Sequence, residues 1–200
     1  MPAVHRHSRL LAIPEQLLDS PTNYHVAPIV DLAATAIFLL IGLRAPLSPG
    51  VRIAAFAAGL AGWSFLEYAM HRWVGHGPSS FARRGHTMHH SDDQALVAAP
   101  VFFVMIGAFV IWAALALLAG TGIAALLVCG LYVGYNLYTL VHHVLHHHEA
   151  FATPGWLQRI ERRHRIHHTH HHVNFGVTSP LWDRVFRTYQ SETFSKTSRS

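Results

Sequence analysis

At 200 residues the chain is long enough for one domain, and 51% of its residues are hydrophobic while only 12% are charged. Soluble proteins carry about 25% charged residues, so this composition excludes an ordinary soluble surface and favours a membrane protein. Basic residues exceed acidic ones by 15 to 10, but the long apolar segments are atypical of nucleic-acid-binding proteins, and we expect no nucleic-acid partner.

The first 25 residues are polar and basic and lack the pattern of a cleavable signal peptide, so we expect an N-terminal cytoplasmic segment. Two apolar segments follow, at about residues 27–44 and 51–71. Each approaches the length of about 20 apolar residues that a membrane-spanning helix needs. Their acidic residues, Asp31 and Glu67, are expected near the ends of the spans, where a charge costs less.

No Asp, Glu, Lys or Arg occurs from Ala95 to Val141. A buried soluble hairpin would normally show a charged face, so this segment predicts two further spans, at about residues 97–118 and 122–142. The single cysteine, Cys129, lies in the second of them, which excludes a disulfide framework and a thiolate metal site.

Four spans put both chain termini on the same side of the membrane. All basic residues except Arg44 and Arg52 fall on that side, so the positive-inside rule places it in the cytoplasm. We therefore expect an all-α integral membrane protein of a bacterial inner membrane, with four transmembrane helices in two hairpins. A single domain at residues 26–190 would be followed by a flexible tail at 191–200.

The chain contains 19 histidines, and most of them lie in four clusters at or just beyond the cytoplasmic ends of the spans. The topology brings these clusters, which are distant in sequence, to one membrane depth as a histidine-lined cap. The cap comprises residues 71–90 and 142–172.

Two of the clusters, at residues 86–90 and 164–168, have the pattern HxxHH, which places three imidazoles on one face of a helix. The cluster nearest the N-terminus, at residues 71–76, has a less regular spacing. His71 and His76 are five residues apart, or about 140° around an α-helix, so they can share a metal only if the helix ends or bends between them. Gly75 makes such an interruption plausible.

The last span ends in two overlapping HxxxH pairs. His142 and His146 are one helical turn apart, as are His143 and His147, and the sequence leaves both pairs open as ligands. Neutral imidazole binds zinc, copper, iron and nickel. Because the clusters offer more imidazoles than one four-coordinate zinc ion needs, two metal ions are the expected number.

The HxxHH at 164–168 continues into three further histidines, at residues 170–172. An expression tag is excluded, because the tract is internal, is interrupted by Arg165, Ile166 and Thr169, and precedes the structured-looking segment VNFGVTSPLWDRVF. The role of the three additional histidines stays open, with His171 as an alternative ligand.

Four motifs together resemble the histidine boxes of the fatty acid hydroxylase branch of the sterol desaturase superfamily. They are EYAMHRWVGH (67–76), GHTMHHSDDQALVAAP (85–100), HHVLHH (142–147) and HRIHHTHHHVNFGVTSPLWDRVFRT (164–188). The last motif is the most specific, because relatives share its G-V-T-S and W-D sequence. The chain is most similar to fatty acid 2-hydroxylases without a cytochrome b5 domain, although Arg187 stands where a glycine is common.

The resemblance implies that ten histidines are metal ligands. They are His71, His76, His86, His89, His90, His142, His146, His164, His167 and His168. Metal-bound imidazoles are usually oriented by an acceptor for the second ring N–H, and the candidates here are Glu67, Asp92 and Asp183.

The resemblance also implies a di-iron oxygenase that hydroxylates an acyl chain of a fatty acid or lipid. Its cofactors would be two iron ions, with zinc possible in purified protein, and O2 would be the co-substrate. Electrons would come from a separate protein of the ferredoxin or cytochrome b5 type. The alternatives are a carotenoid or sterol hydroxylase or desaturase on the same scaffold, and a histidine-rich membrane metal transporter. A transporter would need polar ligands in mid-span, and residues 95–141 offer few.

Overall fold

The computed structural model describes residues 16–78, 80–147 and 155–191. Within these residues the structure is all-helical and has no β-strand, which confirms the predicted fold class. Most of the predicted N-terminal segment and of the C-terminal tail lies outside the described residues, as does His148.

The helices follow one another closely along the chain. They are α1 (Pro21–Arg44), α2 (Pro49–Ala69), a π-helical turn (Met70–Gly75), α3 (Phe81–Ser91), α4 (Val101–Ala119), α5 (Thr121–His147), α6 (Trp156–Thr169) and α7 (Leu181–Val185). Four of the described helices are long and apolar enough to cross a membrane: α1, α2 with its π-helical turn, α4 and α5. The four predicted spans are therefore confirmed as helices.

Helix α5 is the centre of the membrane bundle and packs against α1, α2 and α4. Its approach to α2 is close, because a Cβ atom on Gly130 would lie 2.2 Å from the carbonyl oxygen of Phe56. A Cβ atom on Gly59 would likewise lie 2.0 Å from the carbonyl oxygen of Leu127. Small residues are favoured at such contacts, since dispersion and backbone proximity replace the hydrophobic effect inside a membrane. Helices α1 and α2 each pack mainly against α5 rather than against each other.

A small polar contact joins α1 and α5 within the bundle. The Asn136 side-chain amide donates to Thr35 Oγ1, 3.2 Å away, and to the carbonyl oxygen of Tyr132, 2.7 Å away. Asp31 lies one turn before Thr35 and is buried. Because α1 begins at Pro21, Asp31 lies well inside the helix rather than near its end.

The shorter helices and the segment after α6 cover one end of the bundle. Helix α3 begins at a cap in which Ser80 Oγ accepts from the Arg83 N–H, and it contacts the π-helical turn. Helix α7 packs against α2. The segment between α6 and α7 has no regular structure, yet Phe175 and Val177 are buried in it. This segment passes directly beside the predicted metal ligands.

Candidate metal centre

Five imidazoles converge at the covered end of the bundle, and we call them the first histidine group. Its members are His71, His76, His86, His90 and His167, which come from the π-helical turn, the residue after it, α3 and α6. One ring nitrogen from each lies within 4.8 Å of all the others. Neighbouring Nε2 atoms are 2.8 Å apart for His86 and His76, and 3.2 Å apart for His167 and His90.

The π-helical turn explains how His71 and His76 reach the same point. The His76 N–H donates to the carbonyl oxygen of His71, 3.1 Å away. This i→i+5 bond defines a π-helical turn, which brings residues five apart closer to the same face than an α-helix does. The helix therefore widens between the two histidines and ends at Gly75, which is the kind of interruption that the sequence suggested.

Two imidazoles of the first group are oriented by carbonyl oxygens of the segment after α6. The His71 Nδ1–H donates to the carbonyl oxygen of Phe175, and the His167 Nδ1–H donates to that of Val173, 2.7 Å away. A neutral imidazole has one N–H, so each bond leaves Nε2 with a free lone pair. These two lone pairs are directed at the centre of the group.

The first histidine group fits a bound metal ion. Two nitrogens about 2.1 Å from a shared ion and at right angles to each other lie about 3.0 Å apart, and the Nε2 spacings of the group are 2.8 to 3.2 Å. Lone pairs facing one another at this distance repel, and a shared cation would remove that repulsion. Five imidazoles exceed the four ligands of a usual structural zinc site.

A second histidine group lies beside the first and contains His89, His142, His146 and His164. The Nε2 atoms of His146 and His164 are 2.7 Å apart. His168 lies between the two groups. Its Nε2 is 3.1 Å from that of His164, and its ring centre is 4.3 Å from that of His90. Nine of the ten predicted ligands thus fall into two groups, and the tenth lies between them.

Each HxxHH motif contributes to both groups. On α3, His86 and His90 belong to the first group and His89 to the second. On α6, the middle histidine of the motif, His167, belongs to the first group, and His164 belongs to the second. Residues i and i+4 lie about 40° apart around a helix and i+3 lies on the other side of residue i, so one helix can present ligands to two adjacent metals.

The alternative ligands lie elsewhere. The Nδ1 atom of His143 lies 2.6 Å from the hydroxyl oxygen of Tyr24, and the ring of His147 stacks on that of His143 at 4.8 Å. These two histidines therefore face α1, and the pair His142 and His146 joins the second group. His171 is exposed and belongs to neither group, although its ring centre is 4.7 Å from that of His90.

Burial keeps these imidazoles neutral. Loss of solvent lowers the pKa of His76 to about 4 and those of His89 and His167 to about 3. The pKa values of His86 and His90 are lowered by burial and then by the neighbouring imidazoles. At neutral pH the rings are therefore uncharged, which is the form that binds a metal.

The carboxylate of Asp183 acts on the first group through the backbone. It is 1% exposed and accepts hydrogen bonds of 2.8 Å from the N–H groups of Phe175 and Gly176. It also accepts from Thr188 Oγ1, 2.8 Å away. These bonds fix the peptide whose carbonyl oxygen holds His71, so Asp183 orients this imidazole without touching it.

The other two candidate carboxylates have different partners. Glu67 is buried and accepts from the backbone N–H of Thr178, 2.8 Å away, and from its hydroxyl, so it holds the same segment from the α2 side. Asp92 accepts from the Gln94 N–H at 3.0 Å. The carboxylate near a ligand of the second group is that of Asp93, 3.9 Å from His146 Nδ1.

Sequence reasoning missed Val173 and Phe175, because their role resides in backbone carbonyls that any residue could supply. The signal available was Asn174, which lies between them with a φ of 54°. Asn tolerates this left-handed conformation better than most residues. Arg187 also has a positive φ, of 57°, which explains why a glycine is common at its position.

Several known proteins are similar in sequence to this chain. A family model described as fatty acid hydroxylase matches residues 56–188. A dihydroceramide fatty acyl 2-hydroxylase of Arabidopsis thaliana is 31% identical over 66% of the chain and 59% of its own length. A ceramide very long chain fatty acid hydroxylase of Saccharomyces cerevisiae is 33% identical over 67% of the chain and 37% of its own length. The chain thus spans less than two thirds of these relatives.

A solved structure shares the fold. The visible hydroxylase domain of full-length Scs7p superposes with a TM-score of 0.71 at 24% identity, covering 88% of this chain and 69% of that one. At this identity the likeness establishes the helical architecture alone.

Proposed function

Because the chain belongs to the fatty acid hydroxylase family, we propose that it is a membrane-bound oxygenase that hydroxylates an acyl chain of a fatty acid or lipid. It would use O2 and electrons from a ferredoxin-type or cytochrome b5-type protein. The observation that carries the proposal is the pair of adjacent histidine groups at one end of four apolar helices. The names of the relatives support acyl hydroxylation as the reaction.

The ten predicted histidines are proposed to hold two iron ions, with His168 completing the second group. Bound iron would supply the activation of O2 that C–H oxidation requires and that no side chain can provide. Imidazole suits iron as well as zinc, and a five-imidazole group exceeds the four ligands usual for zinc.

The chain itself orients the ligands and excludes water. The carbonyl oxygens of Val173 and Phe175 fix the tautomers of His167 and His71, which keeps both Nε2 lone pairs directed at the metal. Burial keeps the imidazoles neutral, and the most buried members, His71, His89, His164 and His167, limit the access of water to the groups.

We propose that the histidine groups lie on the cytoplasmic side of a bacterial inner membrane. The positive-inside rule supports this orientation, because the basic residues concentrate on the same side of the spans as the histidines. The acyl chain would reach the metals laterally from the bilayer. Helix α4, which has no buried residue and is apolar throughout, presents such a lipid-facing surface.

The test combines metal analysis with lipid mass spectrometry. Protein purified without added metal should contain about two iron ions per chain, and cells that produce it should gain hydroxylated acyl chains. The matched control is the His86→Ala variant, in which both signals should fall. Wild-type protein without tightly bound metal, or lipids unchanged by its production, would contradict the proposal.

A further inference from the structure

A pocket of about 570 Å³ opens beside the first histidine group, and its role is not explained by metal binding. Its lining includes Arg72, Trp73, His76, His171, His172 and Phe175. The lining therefore includes both His76, a member of the first group, and the permanently charged Arg72. None of the described Asp or Glu residues lines the pocket.

Arg72 is the cation of this pocket. Its guanidinium carbon lies 5.7 to 5.9 Å from the ring centres of four aromatic residues, Tyr68, Trp73, Phe175 and Phe186. No described Asp or Glu forms a salt bridge with it. A guanidinium has five N–H donors, and the bond that the structure gives Arg72 is the 2.6 Å contact from its Nη1 to the Tyr68 hydroxyl oxygen.

A chain of hydroxyl groups fixes the direction of this cation. Thr188 Oγ1 donates to Asp183, so it accepts the proton of the Tyr68 hydroxyl, 3.1 Å away. The Tyr68 oxygen is then free to accept from Arg72. The hydroxyls of Thr188 and Tyr68 thus separate the Asp183 carboxylate from the guanidinium. The aromatic rings hold Arg72 in place while its charge is left without a counter-ion among the described residues.

The position of the pocket suits the polar end of a lipid. Met70 and Trp73, on the π-helical turn at the end of the second span, are 47% and 48% exposed. Exposed aromatic rings are typical of the membrane interface. An acyl chain could therefore lie along this apolar surface while its polar end enters the pocket.

We propose that this pocket binds the anionic oxygen end of the acyl substrate, a carboxylate or a phosphate, with Arg72 as the group that recognises it. The inference rests on the proposed function and adds the substrate class. Since His76 forms one wall, the carbon that is oxidised lies close to the bound end of the chain rather than near the methyl end.

The experiment compares charged and neutral ligands that carry hydrocarbon chains of the same length. Binding of tritiated hexadecanoic acid, its methyl ester and hexadecyl phosphate is measured with the full chain in phosphatidylcholine nanodiscs, in mildly alkaline buffer. Wild-type protein should prefer an anionic ligand to the ester. In Arg72→Gln this preference should fall about tenfold or more, because hydrogen bonds between charged groups are lost. A preference for the acid identifies a fatty acid, and one for the phosphate identifies a phospholipid-type end.

The matched control is Arg165→Gln. Arg165 lies on α6 and forms an exposed ion pair with Glu161, so its loss should leave the preference unchanged. The ratio of anionic to ester binding within one sample is insensitive to partial unfolding. Equal ratios in wild type and Arg72→Gln, or no anion preference in wild type, would overturn the inference. Because binding is measured without turnover, these outcomes are independent of whether the metals and the hydroxylation of the proposed function are found.

Discussion

The two histidine groups are neighbours but are held in different ways. In the first group, His71 and His167 donate their Nδ1–H groups to carbonyl oxygens of the segment after α6. In the second group, His164 Nδ1 has no hydrogen-bond partner among the described residues, and His146 Nδ1 lies 3.9 Å from an Asp93 oxygen. Two imidazoles of the first group therefore depend on the fold of a loop, whereas the members of the second group come from α3, α5 and α6.

This difference predicts that the two metal sites can be disrupted separately. A change in the loop should affect the first site, and a change in a ligand should affect the group to which that ligand belongs.

The largest effect is expected from removing one ligand of each group. His167→Ala and His164→Ala should each lower bound iron from about two ions per chain to about one, since each ring belongs to a different group. Hydroxylation should be lost in both, because the proposed two-metal reaction would need both sites. Metal analysis and lipid mass spectrometry measure the two outcomes. Loss of both metals in each variant would show that the groups are not separable.

A comparison of His168 with His171 tests which of these two histidines belongs to the second group. His168 Nε2 lies 3.1 Å from that of His164, so His168→Ala should abolish hydroxylation and lower bound metal. His171 is exposed and outside both groups, so His171→Ala should keep the full metal content. Equal metal loss in the two variants would contradict this division.

A smaller and more selective effect is expected at Asp183. Each oxygen of Asp183 accepts from a different backbone N–H group, and Asp183→Asn replaces one of these oxygens with an NH2 group that cannot accept. The Phe175 peptide should therefore lose its fixed direction. Loss of such an indirect contact typically weakens metal binding by about 10- to 100-fold. Chelator titration should show one weakened site and one site as in wild type.

The control for Asp183 is Asp92→Asn, because Asp92 accepts from Gln94 at the protein surface and should not alter either site. If the Asp183 variant loses both metals together, the carboxylate stabilises the whole fold rather than the first site. If both sites titrate as in wild type, the loop does not orient His71.

Much of this architecture could be predicted from sequence, because it depends on spacing and composition. The uncharged stretch at 95–141 predicted two spans, and the HxxHH at 86–90 and 164–168 predicted co-located ligands. Three features could not be read in this way. The π-helical turn depends on a backbone bond, the choice of His142 over His143 depends on where α1 packs, and the carbonyl oxygen of Phe175 has no side-chain signature.

The smallest effect concerns Arg187, which stands where the family resemblance leads us to expect a glycine. Its φ of 57° lies in the left-handed region, which costs a residue with a Cβ about 1 kcal/mol or more relative to glycine. Arg187→Gly should therefore raise the free energy of unfolding by roughly 0.5–1 kcal/mol, since the greater entropy of the unfolded glycine offsets part of the gain. Thermal unfolding in detergent measures this shift, and metal content should stay the same because the residue is exposed and outside both groups. Arg184→Gly is the matched control and should destabilise the protein, because Arg184 lies within α7. A decrease in stability for Arg187→Gly would show that the arginine side chain contributes more to this turn than the strain of its backbone costs.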